Sequence, residues 1–139
     1  LDYVEMFKGT LNPGVRTIII DTYKAQVKAL KKLQAPSGLW HTVLDDADSY
    51  EEVSGSAAIA CGIMKGIRMG ILDDSYLPCA EKAVRGIMKN IDKDGTVLNV
   101  SGGTGMGMDA DHYKNILIAP MTYGQSLTIL ALAEALLHL

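Results

Sequence analysis

Two stretches hold residue types able to do chemistry. The first, GLWHTVLDDADSYEEVSGSA (38–57), sets Trp40 beside His41 and follows them with Asp45, Asp46, Asp48, Tyr50, Glu52 and Ser54. The second, NVSGGTGMGMDADHYKN (99–115), carries Thr104 in a run of glycines and then His112 beside Tyr113. An imidazole can pass a proton or fix a ligand near neutral pH. Paired carboxylates can divide acid and base roles. An aromatic ring offers a flat face to the C–H surface of a sugar. Each group also has a plainer reading. His41 and His112 can be structural hydrogen-bonding groups, and the aspartates can form Asx turns in a solvated loop. Trp40 can plug a core. Glu52 stands three residues after Ser49, so the two can form a capping box that starts a helix.

Other chemistries fail on spacing. Gly105, Gly107 and Ala110 fit a loose G-x-G-x-x-A. A dinucleotide site also needs a helix start directly behind the glycines and an acid about 20 residues on within a βαβ unit. DADHYKN and Pro120 follow instead. Gly107 is followed by Met108 rather than Lys and Ser or Thr, so a phosphate loop fails too. In DKDGTV (92–97) the glycine comes too early for a calcium loop and the closing Glu is missing, so a turn is expected. His41, His112 and His138 lack a second His at i+4, and Cys61 and Cys79 form no Cys-x-x-Cys, which argues against zinc. No metal or cofactor is expected.

The elements that must position these residues follow from periodicity. The chain has 139 residues, 48% hydrophobic and 21% charged, with net charge −3, which is one soluble domain with no call for nucleic acid or a membrane as partner. Cys61 and Cys79 read as free thiols. Leu1 follows no leader signal and reads as the interior of a longer protein. After an Asn-Pro-Gly turn (12–14), Ile19, Tyr23, Val27 and Leu30 predict an amphipathic helix over 15–34. A loop or short strand spans 38–50, and a second helix starts near Ser49–Glu52. In it Ala58, Gly62, Gly66 and Gly70 form one row, which fits close approach of another helix. A third helix runs to about Asn90, with Ser75 as cap and Pro78 in its first turn. An Asp-Gly turn and a short hairpin or strand lie near 94–101, then a long glycine-rich loop over 101–121. The last helix, TYGQSLTILALAEALLHL (122–139), is apolar nearly all round, so burial on most sides is expected. Basic amphipathic helices thus alternate with small or apolar ones, the rhythm of concentric outer and inner helices.

GLWHTVLDDADSYEEVSGSAAIACGIMKGIRMGIL, DGTVLNVSGGTGMGMDADHYKN and TYGQSL, in this order and spacing, resemble the C-terminal part of the unsaturated rhamnogalacturonyl hydrolases of glycoside hydrolase family 105, relatives of the unsaturated glucuronyl hydrolases. The resemblance covers nearly the whole chain. It implies an all-α fold, part of an (α/α)6 barrel, with residues 1–139 as its last third. The implied activity removes a 4,5-unsaturated uronyl sugar from a pectin-derived oligosaccharide. An Asp protonates the vinyl ether, water adds at C5, and the hemiketal collapses. The family's catalytic Asp lies in the earlier part of the barrel, and no matching segment is present. The resemblance places Trp40, His41, Tyr50, Glu52, Ser54, Thr104, His112, Tyr113 and Tyr123 along or beneath the substrate pocket, facing the oligosaccharide as partner. A cut barrel should self-associate or take up its missing part. A non-catalytic carbohydrate-binding or protein-interaction module is the alternative, and the compartment stays open between cytoplasmic and secreted.

Overall fold

A computed structural model describes residues 1–138. Four long helices dominate it: α2 (Pro13–Lys32), α3 (Val53–Arg68), α4 (Leu77–Met88) and α6 (Thr122–Ala135). Single helical turns, α1 (Asp2–Met6) and α5 (Ala110–Lys114), a two-stranded antiparallel pair, β1 (Trp40–His41) and β2 (Glu51–Glu52), and short 3-10 turns at Asp74–Tyr76 and Leu136–His138 complete the order. Among the described residues no helix is long and apolar enough to cross a membrane.

Helix starts follow local hydrogen bonding, and three differ from expectation. Asn-Pro-Gly opens α2 instead of closing a turn: Asn12 Oδ1 accepts from Gly14 N at 2.9 Å, with Pro13 at the first helical position. α3 starts at Val53, and Glu52 itself is the N-cap. Ser49 is buried elsewhere, its hydroxyl donating to the Asp46 carbonyl at 2.7 Å. Ahead of α4, Asp73 rather than Ser75 supplies the capping oxygen, accepting from Ser75 N at 2.9 Å. Around 94–101, pairing reduces to isolated antiparallel bridges, Ile91 with Val97 and Ser101 with Ile118, about a turn at Gly95 with φ +88°. The sheet that does form lies at 40–52, pairing Trp40 with Glu52.

α3 is the central helix. Val53, Ala57, Ala60 and Ile63 have no exposed surface, and they pack on Ala80, Ala83 and Ile87 of α4, Ala131 of α6, and Val27 and Leu30 of α2. α3 packs most extensively against α6, which small side chains permit. The expected close approach along the small-residue row is real at Gly66, where an added Cβ would overlap the Tyr23 hydroxyl. That hydroxyl donates to the Gly62 carbonyl at 2.8 Å, and burial pushes the phenol's pKa upward. Gly62 and Gly70, by contrast, face open space.

The last helix departs from the sequence expectation. α6 buries only Gly124, Thr128 and Ala131, while Ile129, Leu130, Leu136 and Leu137 beyond or along it are exposed. A helix apolar on every side needs partners on every side, and within this chain α3 and α4 cover just one flank. The surface total agrees: the chain exposes 8187 Å², against about 7000 Å² for a self-contained protein of this mass. Where α6 is covered, Thr128 carries a buried hydroxyl with no partner among the described residues. Thr128→Val keeps the shape and removes the unsatisfied group, so we expect a gain of about 1 kcal/mol in urea denaturation. A loss of stability instead would show that the hydroxyl is satisfied.

At the far end of α3, Lys65 pairs with Asp2 and with Glu5 at 3.0 Å, while Arg68 reaches Glu5 at 2.8 Å and Glu134 at 2.6 Å. Arg68, then Lys65, hold the Glu5 carboxyl down to about 2. A depressed carboxylate contributes its stabilisation above its unfolded pKa and loses it as pH falls through the folded one. We therefore expect α1 to detach between about pH 4.5 and 2. Ring-proton shifts of Tyr3 and Phe7, whose tilted rings meet at 4.7 Å at α1, should move over that range while the methyl-proton shifts of buried Ile63 stay. Static Tyr3 and Phe7 signals would refute this.

Candidate functional site

The first turns of α3 and α6 open on a common hollow of about 450 Å³. α3 contributes Ser54, Gly55, Ser56 and Ile59; α6 contributes Tyr123 and Leu127. The β1–β2 hairpin supplies Trp40, His41, Thr42, Leu44 and Glu52, and the glycine-rich segment supplies Ser101, Gly103 and Thr104. Both helices therefore present their N-terminal, partially positive ends at one place.

Glu52 joins the walls. Its Oε1 accepts from Ser54 N at 3.2 Å, Ser54 Oγ at 2.7 Å and Ser101 N at 3.0 Å, and its Oε2 accepts from Gly55 N at 2.5 Å. One carboxylate thus caps α3 and anchors the facing segment. Ser101 is the second junction: Tyr50 Oη lies 2.8 Å from its Oγ, and the Tyr123 hydroxyl donates to its carbonyl while accepting from Gly103 N at 3.2 Å. Behind it, a Cβ at Gly124 would lie 2.5 Å from Val100 Cγ2, so a glycine in the first turn of α6 lets that helix start against this segment.

His41 lies on the hollow with its Nδ1 2.6 Å from the Ser49 carbonyl. A carbonyl only accepts, so Nδ1 carries the proton in the neutral ring and Nε2 holds the lone pair. Trp40 borders the same hollow but is 1% exposed. Its Nε1 donates to the Leu30 carbonyl at 2.8 Å and its backbone N donates to Ser56 Oγ at 2.9 Å. Of the two readings of Trp40, the geometry gives the core plug, and no ring face is open for stacking. The hairpin loop above it carries Asp46, whose carboxyl is lowered first by Lys114, at 2.5 Å, and then by the Asp48 amide.

The sequence candidates therefore divide. His41, Glu52, Ser54, Thr104 and Tyr123 share one hollow, with Trp40 and Tyr50 bracing it from behind. His112 lines a separate hollow of about 400 Å³ on the other side of the glycine-rich segment, meeting the first at Gly103. Tyr113 lines neither; its hydroxyl accepts from Gly107 N at 3.2 Å. A helix does follow the glycines, α5, but it is one turn long and Asp109 caps it, accepting from His112 N at 3.0 Å. Ser56, Ser101, Leu127 and Lys114 escaped the sequence reading, since a lone Ser or Leu has no spacing to single it out. Among the described residues, no group of three or more His, Cys, Asp or Glu side chains is placed to hold a metal ion. A larger groove, about 560 Å³, runs along α2, α3 and α6 away from the rim. It is mostly apolar, and its Asp2, Lys65 and Glu134 are held in ion pairs.

Adjacent inner helices whose starts and entry loops enclose one hollow, backed by outer helices, define a section of an α/α barrel. The chain belongs to a family of carbohydrate-cleaving enzymes: the model of Glycosyl Hydrolase Family 88 matches residues 12–139. It is 38% identical over 120 residues to the unsaturated rhamnogalacturonyl hydrolase YesR of Bacillus subtilis, covering 86% of this chain and 33% of that protein. An unsaturated 3S-rhamnoglycuronyl hydrolase of Formosa agariphila is 30% identical over 105 residues, 28% of its length. A crystal structure of a possible GH105 member from Salmonella enterica superposes with a TM-score of 0.94 at 44% identity, over 99% of this chain and 36% of that one. The chain thus spans about a third of the length of these relatives.

Proposed function

We propose that the chain forms the last third of an (α/α)6 barrel and walls the substrate hollow of a hydrolase. That enzyme removes 4,5-unsaturated uronyl residues from rhamnogalacturonan oligosaccharides by hydrating the vinyl ether. The observation that carries this is the meeting of the α3 and α6 N-termini at a hollow lined by His41, Glu52, Thr104 and Tyr123. Glu52 already fills the α3 end, whereas the α6 N-terminus has no side-chain cap and suits a uronate carboxylate, and the hydroxyl and imidazole groups suit sugar hydroxyls. The carboxylate lining this hollow, Glu52, has both oxygens occupied by donors, so it braces the site instead of passing protons. The acid that protonates the double bond then comes from outside the chain. With the complete protein and an unsaturated rhamnogalacturonan disaccharide, the ultraviolet absorbance of the C4=C5 bond should decay, while this chain alone leaves it unchanged. Turnover by the chain alone would overturn the assignment of the acid, and inertness of the complete protein would favour a binding module.

The exposed α6 flank and the adjoining groove are the surfaces the rest of the barrel covers in this reading. Without it, apolar patches of this kind drive association. The isolated chain should therefore run above its 14.9 kDa monomer mass in light scattering, and a monodisperse monomer would contradict this.

A further inference from the structure

We propose that the ion pair between Lys114 and Asp46 is a latch that holds the glycine-rich wall against the hairpin loop, making Lys114 a positioning residue for the occupant of the hollow. The two walls are tied at their feet through Glu52 and Tyr50 to Ser101. At the rim they are joined by Lys114 Nζ and Asp46 Oδ2 at 2.5 Å, with side chains 28% and 29% exposed. Lys114 lies on α5, and α5 carries the wall. His112 Nε2 donates to the Gly105 carbonyl at 3.2 Å, and the Tyr113 hydroxyl accepts from Gly107 N.

The wall has little rigidity of its own. Gly103 sits at φ +45°, and a Cβ added at Gly103 or Gly105 would meet nothing within 4 Å. Met106 and Met108, 93% and 96% exposed, ride on its outer part without packing. Its inner part is tied down at Ser101–Gly103, but the position of its outer part, 105–108, is set by α5, and α5 is fixed to the opposite wall by the Lys114 pair. Besides Asp46, the charges of Asp111 on its own helix and Asp48 on the hairpin loop act on Lys114, so the lysine is held by acids from both walls. Losing it removes the join and leaves those acids to repel. Thr104, on the wall, would then no longer be held across from His41.

Whether the occupant is a saccharide rests on the function proposed above; the latch does not. Amide exchange at Gly102, Gly103 and Gly107, each hydrogen-bonded, reports the wall directly. Lys114→Met or Asp46→Asn should speed it about two- to fivefold, the range of a partly exposed ion pair, while α3 amides keep their protection. The exchanged pair, Asp46→Lys with Lys114→Asp, should restore most of the protection. Should Lys114→Met loosen α3 as well, Asp46→Asn in the hairpin loop decides. Unchanged exchange at the three glycines in Asp46→Asn overturns the latch. In the complete protein, Lys114→Met should raise KM for the unsaturated disaccharide more than it lowers kcat; faster exchange with an unchanged KM overturns the positioning role. If the complete protein leaves the disaccharide untouched, the proposed substrate falls and the exchange data alone decide the latch.

Discussion

Gly38→Ala should destabilise the fold by about 3 kcal/mol or more, enough to unfold a marginal domain. Gly38 is buried at φ +102°, a conformation that costs any residue with a Cβ. The new methyl would also overlap the backbone carbonyl of Lys82 in α4, which has no rotamer with which to yield. Either α4 retreats from the core or the turn at 35–39 opens. That turn is held by Gly38 N donating to the Ala35 carbonyl at 3.0 Å and by Gln34 Nε2 donating to the Gly38 carbonyl at 2.8 Å. Trp40 follows two residues later, so both outcomes disturb the plug beneath the hollow. Gly70→Ala is the control. Gly70 also has positive φ, at +66°, but an added Cβ there meets nothing within 4 Å, so the loss should be about 1 kcal/mol. Urea denaturation of the two variants checks the pair, and equal losses would show that the Lys82 overlap relaxes without cost.

Glu52→Ala should remove about 2–4 kcal/mol, combining a lost N-cap with a lost charged anchor for Ser101 N. The more informative change is Glu52→Gln. Both carboxylate oxygens act as acceptors, Oε1 from Ser54 and Ser101 and Oε2 from Gly55. An amide offers one oxygen, so its NH2 must turn toward a backbone N–H, and we expect a loss of about 1–2 kcal/mol. Because the group joins α3 to the glycine-rich segment, both variants should also weaken amide protection at Ser101. Loss of stability with Ser101 protection intact would mean that the carboxylate acts as a cap alone.

Much of this arrangement was legible in the residues. The stripe through Val27 and Leu30, the proline-marked start of α4 and the alternation of wet and greasy helices all placed elements well, since burial dictates periodicity. The sequence pattern puts the cap of α3 at Ser49, three residues before Glu52, because Ser-x-x-Glu is a common capping box, whereas a glutamate at the cap position itself is unusual. What fixes Glu52 there is its long-range bond to Ser101, and no local pattern reveals that. Trp40 was ambiguous for a similar reason. An indole in a two-residue strand can face core or ligand, and the Leu30 carbonyl that claims its N–H lies ten residues back. The burial of α6 was overestimated because an all-round apolar helix reports that partners exist, not that they belong to the same stretch of chain. The order of the motifs singles out the candidate residues together, while their division between two hollows depends on contacts that no local pattern carries.

The packing of α3 on α6 has a kinetic meaning. During translation α3 leaves the ribosome well before its main packing partner, with α4 and the whole glycine-rich segment emitted in between. Its small-residue face must wait, solvated and unsatisfied, until α6 arrives, and such non-local closure is slow. Docking of α6 therefore closes this section of the fold, and the waiting face of α3 is open to wrong partners in the interval before it.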